Sequence, residues 1–328
     1  MAKAHSPAGR SGRRALVLGG LGSLLAAGVR AQSKDPIRML VGFSAGSATD
    51  VVARVVAQAL AVRLGQAIVV ENKTGVGGSL AADFVAKAKP DGNTLLFVSS
   101  AIAVNSAVYP KLPFDPVKDL VPISLVGRAP VMMLVDSSLP TKTVDEFVAL
   151  CKSKPDHLNF GSSGPGGSIH MISELFTLKT GIKLTHVPYR GNGDAAAALL
   201  GGQIQMLMDT AINATPHLAS PKVRALAITG AQRSPLAPSV PTFKEQGYDF
   251  EASVFFGLMG PAKLPAEMVA RLNMEVSAVL KTPDVAKRLV EVGGLSLAGG
   301  PPGQFAQTIG DELQVWEDVA KKAKVVVQ

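Results

Sequence analysis

The chain has a single cysteine, Cys151. That excludes an intramolecular disulfide and argues against a cysteine-built metal centre. Cys151 ends the apolar helical pattern Val144, Phe147, Val148, Cys151, so it reads as a buried small side chain and not as a reactive thiol. Aromatic residues are also scarce, at 5% with one tryptophan. No run of lysine and arginine interleaves with them, so no nucleic-acid partner is expected. The mature-chain histidines His157, His170, His186 and His217 lack metal-ligand spacing, and no metal or cofactor is implied. Acidic residues are missing from the first 31 positions, which hold five positive charges: Lys3, Arg10, Arg13, Arg14 and Arg30. The formal charge is +8, and eight less those five leaves +3 on the remainder. The basic balance therefore belongs largely to the N-terminus and says little about an acidic partner. Beyond that segment no apolar run reaches the roughly 20 residues a membrane span needs.

The N-terminus itself has the layout of a signal peptide over residues 1–31. Arg10, Arg13 and Arg14 form a charged region, Ala15 to Gly28 is apolar, and Val29-Arg30-Ala31 offers a small-residue cleavage site. Export to the periplasm follows. The Arg13-Arg14 pair leaves the general secretory route and the twin-arginine route both open. No cysteine follows Gly28, which excludes a lipid anchor there. The remaining length suits two domains. With 47% hydrophobic and 18% charged residues it is rich enough in apolar material for packed cores.

Strands and helices then alternate. Ile37–Val41, Ile68–Val70 and Leu95–Val98 read as buried strands. A helix from about Asp50 to Leu64 separates the first two, with Gly65 past its end. A helix opening at Ser79 and stopping at Lys89-Pro90-Asp91-Gly92 separates the next two. This is the order of a parallel, doubly wound sheet. After a proline-rich stretch (Pro110, Pro113, Pro116, Pro122) the pattern restarts. Val131–Val135, Leu158–Phe160, Leu184–Val187, Ile204–Met208 and Val223–Ile228 read as strands, with helices near 144–153, 168–180 and 194–200. An extended run at Phe255–Met259 precedes helices near 265–281, 284–292 and 302–323. Two such α/β lobes leave a cleft beyond their strand ends, where ligands of these sheets bind.

Two uncharged loops rich in glycine and serine join a strand to a helix: Gly42 to Thr49 and Gly161 to Ser168. Small residues let backbone N–H groups approach a ligand. The helix that follows leaves its first N–H groups unpaired, and its dipole favours an anion there. The first loop also spells Gly42-Phe43-Ser44-Ala45-Gly46, a G-x-S-x-G motif between strand and helix, with Asp209 and His217 downstream. A serine esterase using Ser44 is the alternative this supports. Against it, the motif sits on the first mature strand and no oxyanion segment precedes it. His217 follows Asp209 by only eight residues, with Pro216 between. Gly75-Val76-Gly77-Gly78 lacks dinucleotide spacing and reads as a tight turn. Arg190 suits a carboxylate partner or a hinge surface.

Several stretches stand in a fixed order: Val69-Val70-Glu71-Asn72-Lys73, Lys89-Pro90-Asp91-Gly92 and Tyr109-Pro110-Lys111-Leu112-Pro113-Phe114-Asp115-Pro116, then Asn159-Phe160-Gly161-Ser162-Ser163-Gly164, His186-Val187-Pro188-Tyr189-Arg190-Gly191 and Arg224-Ala225-Leu226-Ala227. Together they resemble the Bug-type substrate-binding receptors of tripartite tricarboxylate transporters. The resemblance implies a two-lobed α/β periplasmic binding protein of the type II, Venus-flytrap kind, with the ligand cleft between two doubly wound sheets. Lobe one would comprise 32–128 and 256–328, and lobe two 129–255. It implies a monomeric, non-enzymatic receptor for a small carboxylate, served by membrane permease subunits or by a sensor protein, with no cofactor. Its ligand residues would be Phe43, Ser44, Ala45, Gly46, Ser47, Thr49 and Asp50 in the first loop, and Ser99, Ser100, Ala101 and Asn105 after the third strand. Ser162, Ser163, Gly164, Ser168, His170, Tyr189 and Asp209 would complete the set from lobe two. Members usually carry proline and paired glycines where this chain has Ser44-Ala45-Gly46-Ser47-Ala48, so the ligand's identity does not follow.

Overall fold

The computed structural model describes residues 35–292 and 294–325. The leader read over 1–31 lies outside them. The first strand, β1 (Ile37–Val41), sits between β2 (Ile68–Asn72) and β3 (Thr94–Ser99), and all three run parallel. Helix α1 (Ala48–Leu64) links β1 to β2, and α2 (Ser79–Ala86) leads into β3. In β3 the side chains alternate between two apolar layers: Leu95 and Phe97 pack on one face, Leu96 and Val98 on the other. That is the period of two with both faces covered. In α1 the buried Val52, Ala53, Val56, Ala57 and Leu60 form one stripe, and Gly65 ends the helix at φ 59°.

A helix absent from the sequence reading, α3 (Ala101–Val108), follows β3 directly. The next strand, β4 (Leu120–Asp136), is 17 residues long, and only its last third was legible. The prolines at 110–122 mark a break in the strand–helix pattern of the sequence, yet Pro122 lies inside β4, where the pairing register shifts, as a strand proline must. The second half of the chain adds α4 (Val144–Ser153), β5 (Asn159–Ser162), α5 (Ser168–Thr180), β6 (Thr185–Pro188) and α6 (Asn192–Leu200). Then come β7 (Met206–Thr210), α7 (Ala211–Ala214) and β8 (Val223–Ile228). Strands β7, β5 and β6 are parallel. A capping box closes the start of α4: Thr143 Oγ1 accepts from Glu146 N–H while the Glu146 carboxylate accepts from Thr143 N–H. Cys151 ends that helix's apolar stripe, 1% exposed, and burial pushes its thiol up to about 12.

The chain returns through β9 (Ser253–Pro261), then α8 (Ala266–Leu280), α9 (Pro283–Lys287), the short β10 (Ser296–Leu297) and α10 (Pro302–Ala323). Strand β9 runs antiparallel between β3 and β4. Strand β4 pairs with β9 as far as Pro130 and with β7 and β8 from Val131 or Met132 onward. The two expected sheets are therefore two halves of one curled, mixed sheet, ordered β2-β1-β3-β9-β4-β7-β5-β6. The strands β4 and β9 that join the halves pair antiparallel with each other and with their outer neighbours β7 and β3, which a purely doubly wound reading missed. Among the described residues, no helix is long and apolar enough to cross a membrane.

Candidate ligand-binding site

The first half contributes the turn between β1 and α1. Gly42 fits there only without a side chain, since a Cβ would lie 2.5 Å from Gly78 Cα. Ser47 caps α1 by accepting from Asp50 N–H at 3.3 Å. Asp50 turns away from the cleft. Its carboxylate accepts from Gly46 N–H (2.9 Å), from Asn72 Nδ2 (2.8 Å) and from the Arg54 guanidinium. Burial alone would raise this carboxyl, but the bonds from Arg54, Gly46 and Asn72 and the guanidinium charge hold it below the usual range. Asp50 thus holds the loop to β2 while the N–H groups of Ala48 and Thr49 stay without a protein acceptor among the described residues.

The second half mirrors this with the turn between β5 and α5. Ser162 Oγ bonds His186 Nε2 at 2.7 Å and accepts from Gly164 N–H at 3.2 Å. Gly166 N–H donates to His170 Nδ1 at 3.1 Å. Helix α5 starts with Gly167 as N-cap and no side chain over its end. Ser168 Oγ is buried and has no hydrogen-bond partner.

The two helix starts open on one space. An inner cavity of about 50 Å³ is lined by Phe43, Ser47, Ala48 and Thr49 from the first half, with Ser99 behind, and by Ser163, Ser168, Ile169, Asn192, Thr210 and Asn213 from the second. It widens two ways. One chamber of about 330 Å³ lies between Phe43, Ser44 and Gly75–Gly78 on one side and Ser163, Gly164, Tyr189 and Arg190 on the other. Another, of about 540 Å³, runs between Ser44–Ser47 and Asn192, Asp209, Ile212, Asn213 and His217. Of the residues lining these three spaces, only Arg190 and Asp209 are charged types apart from His217. The halves meet across the cleft, where Tyr109 Oη donates to Pro165 O at 3.2 Å.

The structure sorts the expected residues. Phe43, Ser44, Ala45, Gly46, Ser47, Thr49, Ser99, Ser163, Gly164, Ser168, Tyr189 and Asp209 line these three spaces. Five others stand behind them. Asp50, Ser162 and His170 hold the loops as described. Ser100 is fully buried and exchanges hydrogen bonds with the Phe255 backbone. Asn105 donates to Gly77 O and Ser79 Oγ, both at 2.9 Å, and so pins the turn before α2. Ala101 borders only a 20 Å³ crevice behind Phe43. Sequence reasoning missed Tyr109, Asn192, Thr210 and Asn213, and it took Gly75–Gly78 for a plain turn. Thr210 and Asn213 flank Asp209, and Asn192 follows the Arg190-Gly191 step, so their neighbours were the available signal.

Asp209 is 1% exposed. Its Oδ1 accepts from Asn192, Thr210 and Asn213, while Oδ2 has no partner. Burial pushes this carboxyl up to about 7, against those hydrogen bonds. Ser44, Asp209 and His217 share the larger chamber, but no hydrogen bond links them among the described residues, and Oδ1 is already engaged. The esterase arrangement lacks both of its connections.

The family model "Tripartite tricarboxylate transporter family receptor" matches residues 52–325. Protein BugT of Bordetella pertussis is 36% identical over 290 residues, covering 88% of this chain and 89% of that protein. Among solved structures, MatC from Rhodopseudomonas palustris with bound malate superposes with a TM-score of 0.79 at 36% identity, covering 87% of this chain and 98% of that one. R. palustris Rpa4515 with adipate gives 0.84 at 32% identity, with 89% and 98% covered. The cleft between two halves of a curled sheet, the two facing helix starts and these matches agree: the chain belongs to the receptor family of tripartite tricarboxylate transporters.

Proposed function

We propose that the protein is a periplasmic receptor that captures a small carboxylate between its two lobes and passes it to the membrane permease of a tripartite tricarboxylate transporter. Lobe one is taken as 32–128 with 256–328, and lobe two as 129–255. The observation that carries this reading is the pair of opposed helix starts, α1 and α5, opening on one inner cavity. Each end offers unpaired N–H groups and a partial positive charge. A carboxylate there satisfies N–H groups of Ala48, Thr49, Ser168 and Ile169 together with the Ser168 hydroxyl. Neutral, pre-placed donors in a narrow space hold an anion without a formal counter-ion. Because the donors come from both lobes, the ligand favours the closed form over the open one.

The remainder of the ligand extends into the wider chambers. Malate and adipate, bound by two relatives, are the first ligands to try. A thermal-shift screen of residues 32–328 against small mono- and dicarboxylates tests the reading. Ligand at about 100 times its Kd adds about 2.7 kcal/mol, which raises the melting temperature measurably. A screen of that breadth with no shift would sink the carboxylate assignment.

A further inference from the structure

The larger chamber of the cleft presents acceptors. Asp209 lines it, buried and with no cation bonded to it among the described residues. Its Oδ1 draws the side-chain amides of Asn192 and Asn213 and the Thr210 N–H, while Oδ2 is left without a partner. A carboxylate oxygen only accepts, so both asparagines must turn Nδ2 toward it. Each therefore turns its own carbonyl oxygen away from Asp209. Neither carbonyl oxygen meets a donor among the described residues. Both asparagines are half-buried, and both line the inner cavity as well as this chamber. No lysine or arginine lines the chamber.

We propose that the 540 Å³ chamber is an ammonium subsite and that the ligand class is the amino acids: with the carboxylate on the starts of α1 and α5, the ligand's ammonium donates to Asn192 Oδ1, Asn213 Oδ1 and Asp209 Oδ2. This deepens the receptor reading above and rests on it. An ammonium brings three donors to three oxygens that lack one. It also brings the missing charge. Burial pushes the Asp209 carboxyl up to about 7, as expected of an anion held out of water without a counter-ion, and a ligand cation supplies that counter-ion.

Other ligand ends fit this chamber less well. A second carboxylate would set acceptor against acceptor at Asn192, Asn213 and Asp209. Protonating Asp209 would supply one donor and leave the two amide oxygens opposed to the anion. A hydroxyl brings a single donor and no charge. The Ser44 and Ser47 hydroxyls and the His217 ring can each donate or accept, so they do not choose between ligand ends. Val51, Ile212 and Leu236 line the same space and suit a methylene stem. The neighbouring chamber of about 330 Å³ has the opposite polarity, since Arg190 lines it and no acid does. A second acidic group, in a ligand that has one, belongs on that side.

The test uses the mature protein, residues 32–328, at pH 8, where Asp209 is ionised and aliphatic amines are protonated. Isothermal titration compares α- and ω-amino acids of two to six carbons, mono- and dicarboxylic, with the same skeletons lacking the amine or carrying a hydroxyl in its place. The best amino acid should bind about ten- to a hundredfold more tightly than its deaminated parent, the effect of buried hydrogen bonds to charged groups, and more tightly than its hydroxy counterpart. In Asp209→Asn an amide NH2 takes the place of Oδ2. That preference should then fall by about tenfold or more, while the Kd of the deaminated parent stays within about twofold and shows the variant folded. If the variant does not fold, the wild-type ranking decides alone. A wild type that ranks no amino acid above its parent, or ranks the hydroxy acid first, overturns the proposal, and so does an unchanged preference in Asp209→Asn. n-Butylamine, which has no carboxylate, gives a separate reading: in nitrogen-15-labelled wild type it should shift the side-chain amide resonances of Asn192 and Asn213. If the deaminated acids bind and the amine adds nothing, the subsite falls and the receptor reading stands. If no acid of the panel binds, the receptor reading falls, and the butylamine titration decides the chamber, an absent shift removing the ammonium subsite too.

Discussion

The Ser168 hydroxyl is buried without a partner in the unliganded chain. An unsatisfied buried hydroxyl is a cost the ligand can remove, so its loss should separate binding from folding. In Ser168→Ala the affinity for the screened carboxylate should fall about ten- to a hundredfold, the effect of one lost buried hydrogen bond, with the melting temperature of the free protein unchanged or raised. Isothermal titration and thermal denaturation of the same sample check both halves. Asn105→Ala should do the reverse, since its amide holds Gly77 O and Ser79 Oγ: stability should drop by about 1–3 kcal/mol. Asp209 makes a pH prediction. Its carboxyl is about 7 when folded, against about 3.9 in an unfolded chain. The folded state therefore binds this proton more tightly. That stabilisation is complete below the unfolded value and is lost as pH rises through the span to about 7, by at most about 1.4 kcal/mol per pH unit. Urea titrations from pH 4 to pH 8 should show this fall, and Asp209→Asn should flatten it. An unchanged slope in the variant would rule Asp209 out as its source.

At the scale of elements, the turn before α2 stands out. Gly75, Val76, Gly77 and Gly78 all have positive φ, and Val76, at 48°, is a β-branched residue where glycine or asparagine is at home. The strained residue faces the 330 Å³ chamber. Val76→Asn should stabilise the fold by about 1 kcal/mol in chemical denaturation, because asparagine tolerates this region. A loss of stability instead would mean that the valine side chain contributes more by packing than its backbone costs. The strand and helix periods of β3 and α1 were legible because Leu95–Val98 and Val52–Leu60 carry them within a few neighbouring residues. The loops of Ser44 and Ser163 were legible for the same reason, as runs of small residues between a strand and a helix. Other features depend on chain-distant partners. Asp50 reads as a ligand group until Asn72 and Gly46 are seen on its carboxylate, and Asn105 until Gly77 and Ser79 are. The first part of β4 was obscured by its own Pro122, which only pairing with β9 accommodates.

For the whole molecule, the decisive feature is that two long antiparallel strands, β4 and β9, are the connection running from one half of the sheet to the other. Such a ribbon can bend at Ala129–Val131, where β4 exchanges its β9 partner for β7, without breaking either half. Tyr109 of the first half donates to the Pro165 carbonyl of the second at 3.2 Å. In the capture-by-closure reading proposed above, that bond forms only in the shut cleft and weights the equilibrium toward closure without touching the inner cavity. Tyr109→Phe removes the hydroxyl and keeps the ring. If a partly exposed hydrogen bond contributes about 0.5–1.5 kcal/mol, the variant should bind roughly two- to tenfold more weakly. The change should fall mainly on the dissociation rate, since the bond forms after the ligand enters. Small-angle scattering gives the independent measure. The wild type should contract on adding saturating ligand, and Tyr109→Phe should need more ligand to reach the same radius. Identical radii with and without bound ligand in both proteins would remove closure from the mechanism and leave a rigid cleft in its place.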